Sequence, residues 1–361
     1  MSKKSDKNIS CRLGKVGGSA LMEGVMMKSG PDVAMAVRRS DNGKITVRKK
    51  KYKSAKEKSF LLRIPVIRGV VNFVETMILS MGTMTEATEL LGLDDMEPES
   101  KFDKWLTEKL GDKMMKVVSA ISVVFGLALA VVLFMWLPSF ISDLIFNVDA
   151  EEFHFASRCV DGVLKIIIFL GYIGGTSLIP DIKRVYMYHG AEHKSIACYE
   201  SGEELTVENV RKHTRFHPRC GTSFLFLVLM VSILVNSLIL WAVSSIFPMA
   251  PVGERWFIVL VKLIALPLVV GIDYEYIMYA GKRDNWFTKI FSAPGLWMQR
   301  ITTREPDDSM IEVAVCSIKS ALPEEFPDFI VPTEEYVKAQ TEAEKEAENA
   351  EVTEKVSEDV Q

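Results

Sequence analysis

Four of the five histidines of this chain crowd into one short segment. They sit in Tyr188-His189-Gly190-Ala191-Glu192-His193-Lys194 and in His213-Thr214-Arg215-Phe216-His217-Pro218-Arg219-Cys220. Imidazoles gathered near a carboxylate and a thiol are the usual donor set of a zinc-type site. A helix running to about Glu200, where Ser201-Gly202 ends it, sets His189 and His193 one turn apart on one face with Glu192 between them in projection. This H-x-x-E-H order is that of the inverted zincins, in which the two histidines hold a divalent metal and the glutamate is the general base. Zinc is the metal this donor set favours, and Glu192 is the expected catalytic residue. The third ligand comes from His213, His217, Cys220 or Glu275. Pro218 disfavours a helix through His217, so the second histidine group lies on a turn that can fold over the first. Cys198 has no base beside it and reads as a small buried residue.

The elements that must position these residues are mostly apolar helices. A quarter of the residues are charged, yet mean hydropathy is slightly positive, so the apolar residues are segregated into blocks. Four blocks, at about 117–137, 160–180, 223–247 and 257–279, are long enough to cross a bilayer as helices. The fold class expected is mainly α, a polytopic helical membrane protein with a small cytosolic β element. Lys and Arg are dense before residue 117, in the His-rich loop 181–222 and after residue 280, and sparse in the other two loops. That alternation predicts a cell-membrane protein with both termini and the histidines on the cytosolic side of a membrane domain over 117–280. Five irregularly spaced cysteines do not form a disulfide framework, and thiols stay reduced in that compartment. A fifth stretch, within 61–92, carries Arg68, Asn72 and Glu75 as one polar stripe, with Arg68 and Glu75 read as an ion pair. It is expected to be an interfacial or re-entrant amphipathic helix, joined to the membrane domain by a connector over 93–116.

The remaining segments are soluble in character. Residues 32–39 and 44–51 alternate and flank Asp41-Asn42-Gly43, which predicts a hairpin within the N-terminal region 1–60. Ile311-Glu312-Val313-Ala314-Val315-Cys316-Ser317-Ile318 also alternates and predicts a strand near 311–318 in the segment 281–332, so that a small sheet joins both ends of the chain. Residues 333–361 are acidic and read as a solvated helix or a disordered tail. The basic run 48–58 fits a positive-inside determinant, with anionic lipid headgroups as a second use. Nucleic acid is excluded as a partner, because no aromatic platform accompanies the charge. Gly17 to Met27 is glycine-rich but lacks the Lys and Ser/Thr of a phosphate loop, so it is not read as a nucleotide site.

These motifs together resemble the YqhQ-like family of bacterial membrane proteins of unknown function, often described as predicted metal-dependent enzymes. The resemblance rests on Gly17-Gly18-Ser19-Ala20-Leu21-Met22-Glu23-Gly24, on the two histidine segments, on Tyr274-Glu275, and on Pro294-Gly295-Leu296 through Thr302-Thr303-Arg304-Glu305-Pro306. Ser19 stands where a Gln is common and Asp273 where a small polar residue is usual; neither touches the His motif. The resemblance implies membrane residence and, as a prediction of that family, a metal.

Three function classes stay open at this point. The first is a metal-dependent enzyme, a hydrolase by its H-x-x-E-H order. The second is a non-enzymatic scaffold or regulator whose His-rich loop is structural. The third is a transporter, kept open by Lys262 and Asp273 within the last apolar block and opposed by the scarcity of other charges there.

Overall fold

The computed structural model describes residues 12–55, 59–91, 114–146, 155–247, 249–252, 254–280 and 285–341. The N-terminal part is an antiparallel meander of four strands, β1 (Val16–Leu21), β2 (Gly24–Ser29), β3 (Asp32–Arg38) and β4 (Ile45–Lys51), in the order β1-β2-β3-β4. The predicted hairpin is β3–β4, paired from Arg38↔Ile45 to Asp32↔Lys51, with Gly43 at positive φ in its turn. The glycine-rich segment forms a second hairpin, β1–β2, which closes at Met22-Glu23.

Both faces of this sheet are covered. Leu21, Met26, Val33, Met35 and Val37 pack on α1 (Ile67–Leu90) through Leu79, Ala87 and Leu90. On the opposite face Val16, Val25, Met27, Ala34, Ala36 and Val47 pack on α5 (Pro180–Ser201) and on α10 (Asp308–Ala321). Each buried aliphatic side chain in such a core contributes about 1.5–3 kcal/mol relative to its exposed state. The strand expected near 311–318 is therefore a correction: that segment is the middle of α10. Alternation misled because α10 is buried at nearly every position from Met310 to Ala321, with only Glu312 exposed and Lys319 half-buried, so a short window within it fits a strand as well. Asp307 caps it by accepting from the Met310 amide at 3.0 Å. The two ends of the chain do meet, through α10 on the sheet and a parallel bridge from Val47 to Thr333.

The apolar blocks form α2 (Met114–Val131), a π-helical stretch (Val132–Trp136), α3 (Leu137–Phe146), α4 (Phe155–Thr176), α7 (Gly221–Ile246) and α8 (Arg255–Ala280). Among the described residues three helices are long and apolar enough to cross a membrane: Ala120–Ile145, Gly221–Ile246 and Trp256–Ala280. The expected span at 160–180 qualifies only together with α5, and the two are bent by 99° at the break. Past the break Pro180 takes the first position of α5, where its missing N–H costs nothing. Helix α5 is more polar than the other long helices, with Asp181, Lys183, Arg184 and Glu192. Gly202, at φ 81°, ends it as expected. The short α6 (Val207–Lys212) and α9 (Trp286–Thr302) complete the set.

Of the predicted polar stripe in 61–92, Arg68 pairs with Glu275 of α8, not with Glu75. Glu75 instead accepts from the Ser54 hydroxyl at 2.8 Å and from the Ala55 amide. The basic run at 48–58 is partly used inside the chain: Arg48 meets Glu89 and Glu334, and Lys50 meets Glu86. In the acidic tail, residues 334–341 are helical; the rest of it, most of the connector 93–116 and residues 56–58 lie outside the described residues.

Candidate metal centre

His189, Glu192 and His193 lie on one face of α5, as the one-turn spacing requires. Cys220 reaches them from the first turn of α7, where it also caps the helix by accepting from the Thr222 amide at 3.4 Å. The ligand atoms of His189, His193 and Cys220 all fall within 4.8 Å of one another. His189 Nε2 stands 3.2 Å from Cys220 Sγ, near the ~3.6 Å expected between a nitrogen and a sulfur on one tetrahedral zinc. The two rings have centroids 4.4 Å apart.

The orientation of each ring is fixed from behind. His189 Nδ1 lies 2.9 Å from the Thr302 carbonyl and His193 Nδ1 lies 2.6 Å from the Arg215 carbonyl. A carbonyl can only accept, so both Nδ1 atoms carry hydrogen, and in the neutral ring each Nε2 offers a lone pair. Histidines that ligate metals are held in this way, with the outer nitrogen bonded to a carbonyl or carboxylate.

Burial disfavours a charged Cys220 thiol, but the adjoining imidazoles of His189 and His193 outweigh it and hold the thiol well below its ordinary range. His189 is shifted the opposite way: burial disfavours its cation, and the neighbouring sulfur and Glu192 raise it. A thiolate beside histidine is the form in which sulfur binds zinc. Glu192 is buried, and its Oε2 has no hydrogen-bond partner. Burial pushes its carboxyl up, against the pull of His189 and His193.

Two glycines permit this packing. A Cβ on Gly18 of β1 would come within 2.7–2.9 Å of the Glu192 side chain, so the strand backbone closes directly over the carboxyl. A Cβ on Gly190 would strike the Arg304 carbonyl, in the segment whose backbone amide donates to Tyr186 at 2.8 Å. Lys194, buried on α5, pins the same segment through Glu305 and ties α6 to α5 by donating to the Arg211 carbonyl at 3.0 Å.

A family described as "Protein of unknown function (DUF1385)" matches residues 64–324. The chain belongs to that family. It is 33% identical over 310 residues, 85% of this chain and 92% of the other, to a protein called uncharacterized protein YqhQ from Bacillus subtilis (strain 168). No solved structure matches. The DUF1385 match includes His189, Glu192, His193 and Cys220 and begins after the β-sheet that carries Gly18.

Of the other expected ligands, His217 is adjacent but engaged elsewhere. Its ring centroid is 5.5 Å from that of His193, and its Nε2 faces Glu200 at 3.8 Å. Its backbone is clamped by Gln299, whose Oε1 accepts from the His217 amide at 2.8 Å while Nε2 donates to the His217 carbonyl at 2.7 Å. His213 is not in this cluster; it lies with Cys198 and Glu203 in a second group whose ligand atoms are within 4.8 Å of one another. Glu275 is also elsewhere, accepting from Arg68 Nε at 2.7 Å, because α8 runs beside the start of α1. Gln299, Glu200, Gly18 and the carbonyls of Arg215 and Thr302 were not picked out by residue type. Glu200 had one signal, its position seven residues beyond His193 and so on the same helix face.

A second buried polar cluster lies among the apolar helices. Asp161 accepts from Lys165 at 3.0 Å, from Lys262 at 3.3 Å and from the Ser139 hydroxyl at 2.9 Å, and Lys262 donates to Ser139 at 3.0 Å. Asp273, also buried in α8, has neither carboxyl oxygen hydrogen-bonded.

Proposed function

We propose that this DUF1385 protein is a multi-pass membrane protein with a metal-dependent hydrolytic site at its cytosolic face. The observation that carries the reading is the convergence of His189, His193 and Cys220 ligand atoms within 4.8 Å, beside a buried Glu192 carboxyl. Those three residues would hold zinc, which when bound supplies a Lewis acid and lowers the pKa of water. Thr302 and Arg215 keep the imidazoles turned inward. Glu192 takes up the proton lost by the attacking water and returns it to the leaving group, a role helped by burial that raises its affinity for a proton. The basic loops beside the apolar helices support cytosolic termini and contact with anionic headgroups.

The competing reading is a non-enzymatic scaffold in which the metal is a clip. It is favoured by the same two carbonyl contacts, because they tie α5 to the end of α9 and to the Arg215 turn. Metal analysis of the purified full chain, with His189→Ala, His193→Ala and Glu192→Gln, tests both. We expect one zinc per chain, lost in the two histidine variants and retained in Glu192→Gln, which nevertheless loses its cellular function. Sub-stoichiometric zinc in the wild type, unchanged in the variants, overturns the metal reading. A fully functional Glu192→Gln leaves the clip.

A further inference from the structure

The turn from α5 into the short helix α6 gathers a second set of metal-ligand types, away from the first centre. Gly202, in the left-handed conformation, ends α5 and turns the chain back. Cys198 lies in the last turn of α5, Glu203 follows directly on Gly202, and His213 ends α6. Ligand atoms of these three residues lie within 4.8 Å of one another. The base that Cys198 lacks among its sequence neighbours is supplied by the fold.

Hydrogen bonding does not account for the grouping. The Nε2 of His213 is buried without a hydrogen-bond partner, although Glu203 Oε2 stands 3.4 Å away. A buried ring nitrogen left in that state is costly, and a bound ion is one of the partners that satisfies it. Cys198 is buried and donates its thiol proton to the Glu204 carbonyl at 3.6 Å. Glu203 is exposed, so the group opens to solvent on its side.

The donor types decide the metal. Calcium and magnesium take oxygen ligands, whereas a thiolate with an imidazole selects the zinc group. Once the thiol proton is displaced, thiolate and carboxylate carry two negative charges, which neutralise a divalent ion. Three protein ligands leave a fourth position to water on the exposed side. The ion must displace a proton and draw Glu203 out of solvent, so it binds weakly and exchanges. The single zinc expected of the purified chain belongs to the first centre, where carbonyls already hold both rings in place.

The position of His213 links the two. It lies between two carbonyls that hold α5: that of Arg211 accepts from Lys194 at 3.0 Å, and that of Arg215 orients the His193 ring.

We propose that Cys198, Glu203 and His213 form a second metal site, open to solvent, which takes an exchangeable divalent ion of the zinc group and, when filled, braces the 211–215 turn that orients His193. The bracing of a catalytic ligand rests on the metal-dependent reading of the first centre; the second site does not. In the test, the full chain in detergent micelles, carrying its zinc, is titrated with cobalt(II), whose bond to a thiolate gives a charge-transfer absorption band. One further equivalent is expected to develop that band while the zinc stays bound. Cys198→Ala and, independently, His213→Gln should weaken the added ion about a hundredfold, whereas Glu208→Gln, exposed on α6, should change nothing. Hydrogen exchange over 211–216 should slow about tenfold as the site fills, a coupling of ordinary size between two sites. Absence of the band in the wild type, or a band that survives both variants, overturns the second site; unchanged exchange overturns the bracing. A chain that holds no zinc but shows the band, lost in both variants, keeps this site and sinks the metal reading of the first centre. One zinc with no band does the reverse.

Discussion

Two buried polar clusters in this molecule have opposite internal logic. Around Asp161 every strong donor meets an acceptor: Lys165, Lys262 and the Ser139 hydroxyl converge on one carboxylate. Around His189 the Nδ1 hydrogens point outward to carbonyls, and what faces inward is the two Nε2 atoms, a sulfur that shares a hydrogen bond with His189, and the unbonded Oε2 of Glu192. The first cluster is complete as a part of the fold. The second has a donor set that could hold a cation. Polarity and burial alone do not separate the two; the types of atom that face inward do.

The largest expected effect breaks the complete cluster. Asp161→Ala leaves two ammonium groups without the carboxylate they share, and uncompensated buried charge costs about 3–5 kcal/mol. Unfolding of the purified chain in detergent micelles should register that loss, whereas zinc content per folded chain should not change. A loss under about 1 kcal/mol, the usual value of an exposed pair, would mean that water or lipid headgroups already reach those lysines.

The difference between the clusters also explains which features were legible from residue order alone. The H-x-x-E-H spacing placed His189, Glu192 and His193 correctly, because a helix converts sequence spacing directly into a shared face. Cys220 joined them through a turn, so it stood in the sequence as one of four candidate ligands, and only the packing of α7 against α9 separates it from His213 and Glu275. The apolar helices were legible from composition. The 99° break before Pro180 was not, since a proline at the first helical position is compatible with either a break or a kinked continuation. The strand expected at 311–318 failed for a related reason: eight residues of which all but Glu312 are buried are too short a window to separate the two periods. Gly18 was legible only as a glycine. What it clears is a side chain far along the sequence.

Gly18→Ala sharpens the comparison from the side of the open cluster. A Cβ at 2.7–2.9 Å from the Glu192 side chain forces β1 off α5 or turns the carboxyl away. Overpacking of this kind costs about 1–3 kcal/mol. Thermal unfolding should fall accordingly, and zinc content should fall with it, because Glu192 shares its helical turn with both histidines. Unchanged stability together with unchanged zinc would show that β1 does not close over the site.

The smallest effect concerns Glu200, which joins the open cluster to the fold. Burial opposes its ionisation, but the nearby His217 ring, the Gly14 amide and Arg219, the last two donating to it, outweigh it and hold the carboxyl down at about 2. An unfolded glutamate titrates near 4.3. Because the folded value is the lower one, the stabilisation is fully present above about pH 4.3 and is lost as pH falls through the folded value near 2. A tenfold change in proton affinity corresponds to about 1.36 kcal/mol, and partial solvation of the group reduces the total to about 1–2 kcal/mol. Denaturant unfolding of wild type and Glu200→Gln should therefore differ by that amount at pH 7 and converge towards pH 2. Zinc content at pH 7 should be equal in the two proteins, because Glu200 holds His217 and not the ligating pair. If zinc is lost in Glu200→Gln while the fold survives, His217 is the fourth ligand, and its contact with Glu200 orients it.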